Sequence, residues 1–242
     1  MTKKSALTNI EKAVAIIPAA GSGLRMGGER AKQFIDLDGI PLLALTLRPF
    51  ESCASVDAVI LVVPFNAVEY CRKEIVKKYK LKKIKEIVPG GKRRQDSVRL
   101  GLEAAGAEYG LVLIHDGARP LIDEALIDRV ITTAKKHRVV ITGMPAKETV
   151  KEVNQLSEVE KTYERQKIWL VQTPQVFRRE DIIAAHRRAL EERWDEATDD
   201  SLLMERLGIP VKVIEGSEKN IKVTTPYDLE LARILLGRDS GS

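Results

Sequence analysis

A loop of small residues and fixed cations, PAAGSGLRMGGERAKQF, runs from Pro18 to Phe34 directly after a short apolar stretch. Ala19, Ala20, Gly21, Ser22 and Gly23 carry little or no side chain, so backbone N–H groups there can close on phosphate oxygens. Arg25 and Lys32 add two positive charges from the same loop. Fixed cations at a Gly-rich strand end suit an anion bearing several charges, such as a triphosphate. Two common glycine motifs do not fit. The dinucleotide fingerprint accepts Gly21 and Gly23 but then meets Met26 where glycine is needed. Gly23 and Gly28 have P-loop spacing, but Glu29 follows in place of lysine.

Two further segments follow strand-like runs. GGKRRQDSV (Gly90 to Val98) opens with paired glycines that permit close backbone approach, and Ser97 lies near the start of the next helix. IHDGARP (Ile114 to Pro120) offers Asp116, Gly117 and Arg119, which can serve a ribose hydroxyl, a metal–phosphate group or an acceptor phosphate. As a helix cap Asp116 is a poorer choice than Asp123. His115 reads as a packed strand-end histidine rather than a catalyst, since phosphoryl chemistry does not require one. Lys222, in NIKVT, projects to the opposite face from Ile221 and Val223 if that run is a strand; a solvated lysine is the plainer reading.

These groups need a scaffold, and the chain alternates strand and helix patterns. Buried-strand runs are Ala13 to Pro18, Ala58 to Pro64, Ile84 to Val88, Leu111 to Asp116 and Val139 to Gly143. Helical spacing appears over Pro41 to Cys53, Ala67 to Tyr79 with Asn66 as cap, Gln95 to Ala105, and from Asp123 to Lys136. The repeated order implies a mostly parallel sheet with helices on both faces. The loops above then fall at strand C-terminal ends, where open α/β sheets bind ligands. The rhythm breaks at Lys147 to Arg165, a polar hairpin centred on Asn154 to Glu158. It has too few apolar residues to bury a face of its own, and an isolated hairpin is marginal in water. A second subunit is the economical support; a solvated surface hairpin is the alternative. Beyond it, Ile168 to Gln172 reads as a strand, and Arg179 to Trp194 and Thr198 to Leu207 as helices, the latter capped by Thr198. Val211 to Gly216 and Asn220 to Thr224 read as strands. Thr225, Pro226 and Asp228 form a helix start.

Composition narrows the function classes. The 242 residues are 44% apolar, which suits a folded core, and no apolar run approaches the roughly 20 residues of a membrane helix. The first dozen residues lack an apolar stretch of signal-peptide length, so a cytoplasmic location without membrane attachment is expected. Cys53 and Cys71 match no zinc or CxxC spacing and read as buried thiols. The 40 basic residues are interleaved with 35 acidic ones, which argues against a nucleic-acid partner.

Taken in order, PAAGSGLRMG with KQF, GG–R–DSV, HDGARP, TPQVF, ATDD and NIKVTTPYDL resemble the cytidylyltransferases that make CDP-methylerythritol from CTP and 2-C-methyl-D-erythritol 4-phosphate in non-mevalonate isoprenoid synthesis. The resemblance runs from about Ala13 to Leu235. It implies a single-domain Rossmann-like α/β nucleotidyltransferase fold over residues 1–242, with a dimerising β-arm at about 144–170. It implies CTP as nucleotide, a small phosphorylated polyol as acceptor, Mg²⁺ as cofactor, and a homodimer with shared sites. By the same resemblance, Arg25 and Lys32 match the cations that stabilise the transition state at the α-phosphorus. Ala19, Ala20, Gly91, Lys92 and Ser97 match positions around cytosine and ribose. Asp116, Gly117 and Arg119 match the stretch between nucleotide and acceptor. Thr149 and Arg165 match arm positions reaching into the partner subunit, and Thr173 and Thr198 match residues near the acceptor. Lys222 matches the lysine that, with Arg165, places the attacking phosphate.

Two positions depart from the pattern. Ala31 stands where many members have proline before the lysine, and Lys92 stands at a variable position that is acidic in some members. Ribitol 5-phosphate is the competing acceptor, and a non-catalytic nucleotide-binding regulator is the reading from another class. The metal ligands are not legible from the sequence.

Overall fold

The computed structural model describes residues 12–21, 32–194 and 197–239. Strand β1 (Ala13–Pro18) is followed, past the glycine loop, by the two-residue strands β2 (Asp36–Leu37) and β3 (Ile40–Pro41). They are joined by Asp38 and Gly39, at φ +52° and +80°. Two consecutive left-handed residues make the tight hairpin turn that an Asp-Gly pair favours. Helix α1 (Leu42–Ser52), strand β4 (Ala58–Val63), helix α2 (Val68–Tyr70), strand β5 (Ile84–Pro89), helix α3 (Arg94–Ala104), strand β6 (Leu111–Ile114), helix α4 (Glu124–Ala134) and strand β7 (Val139–Pro145) continue the alternation. The arm is the hairpin of β8 (Lys151–Val153) and β9 (Val159–Thr162). The chain then returns as β10 (Trp169–Arg178), α5 (Arg179–Glu191), α6 (Ser201–Arg206), β11 (Lys212–Glu215) and α7 (Pro226–Asp239).

Seven strands form one sheet in the order β11-β7-β10-β6-β1-β4-β5. All neighbours pair in parallel except β10, which runs antiparallel between β6 and β7. The alternation of side chains splits β1 between two cores. Ala13, Ala15 and Ile17 face a cluster with Leu43 and Leu47 of α1 and Ile127 and Ile131 of α4. Val14 and Ile16 face Val98 and Leu102 of α3 and Ile182 of α5. Covering on both faces explains the nearly unbroken β-branched runs in β1 and β4. A third cluster packs Leu37 and Leu42 against Val223, Leu229 and Ala232, which seats α7 beside the β2–β3 turn.

Most of the expected elements are present, and three differ. The run from Ala67 to Tyr79 is not one α-helix. A 3-10 turn over Phe65–Ala67 leads into α2 and then a π-helical stretch over Cys71–Lys77. That turn starts directly after Pro64, so Asn66 lies inside it and caps nothing. Thr198 does not cap α6, which begins three residues later; the Asp199 carboxylate accepts the Leu202 N–H instead. Asn220 to Thr224 forms no strand. Its backbone partners are a side chain and a loop: Arg119 donates to the Asn220 carbonyl, and Val223 N–H donates to the Ala118 carbonyl. The expected cap of α4 is present, with Asp123 accepting the Leu126 N–H. At α7, Asp228 accepts the Thr224 and Thr225 N–H groups and donates its own N–H to the Thr225 hydroxyl. Both cysteines are free and buried. Among the described residues no helix is long and apolar enough to cross a membrane.

Phe177 of β10 is fully buried in the α3–α5 core. Phe177→Ala is expected to cost about 3–5 kcal/mol of unfolding free energy, the usual range for deleting a buried ring. Urea unfolding with an unchanged m-value and a lowered midpoint would verify it; an unchanged midpoint would contradict the packing described.

Candidate active site

The C-terminal end of β6 delivers Asp116 to the middle of the sheet edge, where β1 also ends. The two ends touch: a Cβ on Gly117 would lie 2.7 Å from Ala19 Cβ, so only glycine allows this approach. At the end of β5 the same holds for Gly90, where a Cβ would overlap Ala20 Cβ. The next glycine, Gly91, donates its N–H to Ser97 Oγ at 3.2 Å, and that hydroxyl donates to the Arg93 carbonyl. The loop between β5 and α3 is therefore folded back on the helix start, with Arg94 as the first helical residue.

Asp116 collects cations from three separate segments. Arg94 Nε donates to its Oδ1 at 3.0 Å, Lys222 Nζ lies 2.8 Å from its Oδ2, and Arg119 Nε lies 3.8 Å from Oδ2. Burial alone would raise this carboxyl, but Arg94, Lys222 and Arg119 outweigh it and hold it far below the usual carboxylate range. The backbone is fixed as well, since Asp116 N–H donates to Thr173 Oγ1 at 3.0 Å. Thr173 Oγ1 also meets His115 Nδ1 at 3.2 Å, and His115 Nε2 meets the Arg119 carbonyl at 3.2 Å. A carbonyl only accepts, so Nε2 carries the proton and Nδ1 accepts from the threonine hydroxyl. His115 is thus a neutral strut, fully buried, as its position at the strand end implied.

Two cavities, of about 400 and 440 Å³, meet at this cluster. Arg94, Asp116 and Lys222 line both. Ala19, Ala20, Gly21 and Gly117 line the first from the β1 and β6 ends, and Gly91, Lys92 and Ser97 from the β5 side. Asp116 is its sole carboxylate among the described lining residues, against the cations of Lys92, Arg93, Arg94 and Lys222. Arg119, Thr173 and Thr198 line the second cavity. Arg119 Nε is buried there with no hydrogen-bond partner, although Nη1 is spent on Asn220. The arrangement is a cationic trough for phosphates, divided by one ionised carboxylate from a second chamber lined by the Arg119 guanidinium.

The family model for 2-C-methyl-D-erythritol 4-phosphate cytidylyltransferase matches residues 13–238. The chain belongs to this family. A protein of that name from Syntrophus aciditrophicus is 44% identical over 95% of this chain and 98% of its own length. One from Pelotomaculum thermopropionicum is 41% identical over 96% and 97%. The crystal structure of a 4-diphosphocytidyl-2C-methyl-D-erythritol synthase from Anaerococcus prevotii superposes with a TM-score of 0.84 at 35% identity, covering 97% of this chain and all of that one.

Of the positions singled out in the sequence, Gly23, Arg25 and Ala31 lie outside the described residues. Lys32 opens a 3-10 turn over Lys32–Phe34, and next to it Gln33 donates to the Ala19 carbonyl at 2.8 Å. Thr149 and Arg165 are exposed at the base of the arm and line neither cavity. Arg165 Nη1 donates to the Lys147 carbonyl at 3.0 Å, which closes that base. Sequence reasoning passed over Arg94, although it sits inside the GGKRRQDSV segment. Its neighbour Arg93 looks identical on paper, and only packing shows that Arg93 turns to Asp96 while Arg94 turns to Asp116.

His115 makes a measurable prediction. Burial pushes its pKa down to about 4 from an ordinary 6.5, with the nearby Arg119 charge acting in the same direction. The unfolded chain then binds a proton below pH 6.5 that the folded chain refuses until about 4. Stability from this group is complete above pH 6.5 and falls across that window, by about 3 kcal/mol at roughly 1.4 kcal/mol per pKa unit. The His115 ring resonances should not titrate between pH 7 and 5 in the folded chain. A midpoint near 6.5 would show that the ring is hydrated.

Proposed function

We propose that this chain transfers a cytidylyl group from CTP to 2-C-methyl-D-erythritol 4-phosphate, giving 4-diphosphocytidyl-2-C-methyl-D-erythritol and pyrophosphate. The carrying observation is the pair of cavities that meet at Asp116, Arg94 and Lys222 in a chain of this family. One phosphate-bearing ligand on each side of a shared cationic seam is what a displacement between two phosphates needs. CTP occupies the first cavity, with its triphosphate along the cations. The acceptor phosphate occupies the second, beside Arg119 and Lys222. An acceptor phosphate oxygen attacks the α-phosphorus in line; the P–O bond to the β-phosphate breaks and pyrophosphate leaves with its electron pair. The attacking oxygen is already anionic, so no protein nucleophile or general base is required, and catalysis is positioning plus electrostatics.

Asp116 keeps Lys222 and Arg94 in place on both sides of the seam, and Lys222, half exposed, is free to turn from the carboxylate towards phosphate. We assign Arg25 and Lys32 to the charge that builds on the α-phosphoryl group, on the family pattern. Mg²⁺ belongs to the proposal as an ion that would accompany the triphosphate and supply positive charge against it. Asp116, the one carboxylate among the described residues lining the first cavity, would be the protein oxygen beside it. A cytoplasmic location remains part of the reading.

The arm supports a homodimer. Val153, Leu156 and Val159 on the hairpin, and Leu170 and Val171 beside its base, are exposed apolar residues on a projection that has no core beneath it. Burying them against a second copy would carry Thr149 and Arg165 to the partner's acceptor cavity, and an arginine there suits bidentate phosphate binding.

A pyrophosphate-release assay tests the reaction. Turnover is expected with CTP and 2-C-methyl-D-erythritol 4-phosphate, strongly preferred to ATP, GTP or UTP. Faster turnover with ribitol 5-phosphate would reassign the acceptor, and CTP binding without any turnover would make the chain a regulator. Subunit exchange tests the shared site. Inactive Arg165→Ala and Lys32→Ala chains, mixed, should regain activity, because a hybrid dimer has one site with both lesions and one with neither. Verified hybrids that stay inactive would place Arg165 in its own subunit's site.

A further inference from the structure

His186 lies on the buried face of α5, in the run Ile182, Ala185, His186, Ala189. That spacing is an apolar stripe against α3, and an aliphatic side chain would satisfy it. An imidazole there, only 2% exposed, is costly unless its polar atoms are used. Its Nε2 meets Asp200 Oδ1 at 3.2 Å, while Nδ1 has no partner. Asp200 is itself 1% exposed and lines neither cavity. Its other oxygen, Oδ2, accepts from Arg94 Nη1 at 2.7 Å. Arg94 then reaches Asp116 with Nε at 3.0 Å.

A continuous line therefore runs from α5 to the seam between the two cavities, buried at every residue but the partly exposed Arg94: His186, Asp200, Arg94, Asp116. We infer that His186 is a positioning residue, which orients the Asp200 carboxylate so that Arg94 is held against Asp116. The role rests on the reaction proposed above, but the contacts that carry it are in the chain itself. Arg94 comes from the first residue of α3, where its long side chain has many rotamers. One carboxylate would not choose among them; two carboxylates on different nitrogens of the guanidinium do. Asp200 can serve as the second only if its own plane is set, and Arg94 engages only one of its oxygens. His186 holds the other. Asp200 is ionised, its carboxyl lowered against burial by Arg94 and by the hydrogen bond from His186, so Nε2 must donate. Loss of that bond leaves Asp200 free to rotate, Arg94 free to follow, and Asp116 restrained chiefly by Lys222, the group the reaction needs to turn to phosphate.

Three measurements separate positioning from mere packing. Wild-type turnover with CTP and acceptor is established first, so that absence of the reaction is distinguished from failure of this role. In His186→Leu, which keeps the stripe apolar, kcat should fall about tenfold, well inside the hundredfold that a misplacement of about 1 Å can cause. The KM for CTP should stay within about threefold, since Ala19, Ala20, Gly91, Lys92 and Ser97 of the first cavity lie off this line. His186→Gln, whose amide can still donate to Asp200, should recover most of the lost kcat. A packing role predicts the reverse order, with Leu better tolerated than Gln. Should His186→Leu fail to fold, the ring nitrogens of the wild-type chain carry the test, with His186→Gln needed only to assign them. Nitrogen-15 spectra of its histidine rings, assigned by difference from His186→Gln, should place a proton on His186 Nε2. A ring protonated only on Nδ1, or kcat unchanged in a folded His186→Leu, would overturn the assignment.

Discussion

The site depends on one buried carboxylate. Asp116 is almost wholly removed from water, and such a charge is tolerated only when several partners answer it. Those partners come from the start of α3, from the turn after β6, and from the segment before α7. None of the three segments is near another in sequence. Their meeting at Asp116 ties these stretches of the chain together and, in the same contacts, divides one cavity from the other. The strand ends have to be glycine-lined for this to happen. Side chains at 90 or 117 would push the β1, β5 and β6 ends apart and pull the cations out of reach.

Rigidity on one side of the site is matched by openness on the other. His115, Thr173 and Asn220 lock the backbone around Asp116 through hydrogen bonds that no ligand needs to displace. Arg119 has one nitrogen fixed on the Asn220 carbonyl and another, Nε, turned to Asp116 without a hydrogen bond. Lys222 stands on a stretch without ladder hydrogen bonds, held by the α7 cluster and by Val223 on Ala118. A preorganised frame with a few free donors costs little reorganisation when charge develops on a phosphoryl group, which is the electrostatic economy expected of such catalysts. The line from His186 extends that frame a further helix away from the ligands.

The arm obeys a different constraint. Its two short strands bond to each other and to nothing else among the described strands. Asn154 organises its turn by accepting the Leu156 and Glu158 N–H groups. The hairpin is thus well formed locally yet has apolar residues turned to solvent, the feature on which the proposed homodimer rests.

Much of this was legible in the order of residues. Binary patterning marked β1, β4, β6 and β7, because strands covered on both faces need long apolar runs whatever surrounds them. Local chemistry marked the cap at Asp123, the start of α7 and the polar turn of the arm, because caps and turns are decided within four residues. The Asp38-Gly39 turn was equally readable and was missed. The ordered motifs marked the family and most of the cavity lining. What the linear chain could not reveal is which of several similar charges does what. Arg93 and Arg94 are adjacent and alike, yet one pairs within its own helix turn and the other reaches Asp116 and Asp200 from separate elements. Lys222 likewise owes its place to contacts with Ala118 and Arg119's partner Asn220, not to the strand its neighbours seemed to form. Sequence by itself determined the elements and the chemistry available, since those follow from local spacing. Tertiary structure decided the pairing of the charges, since a buried ion takes whichever partners the packing of distant segments brings within hydrogen-bond reach.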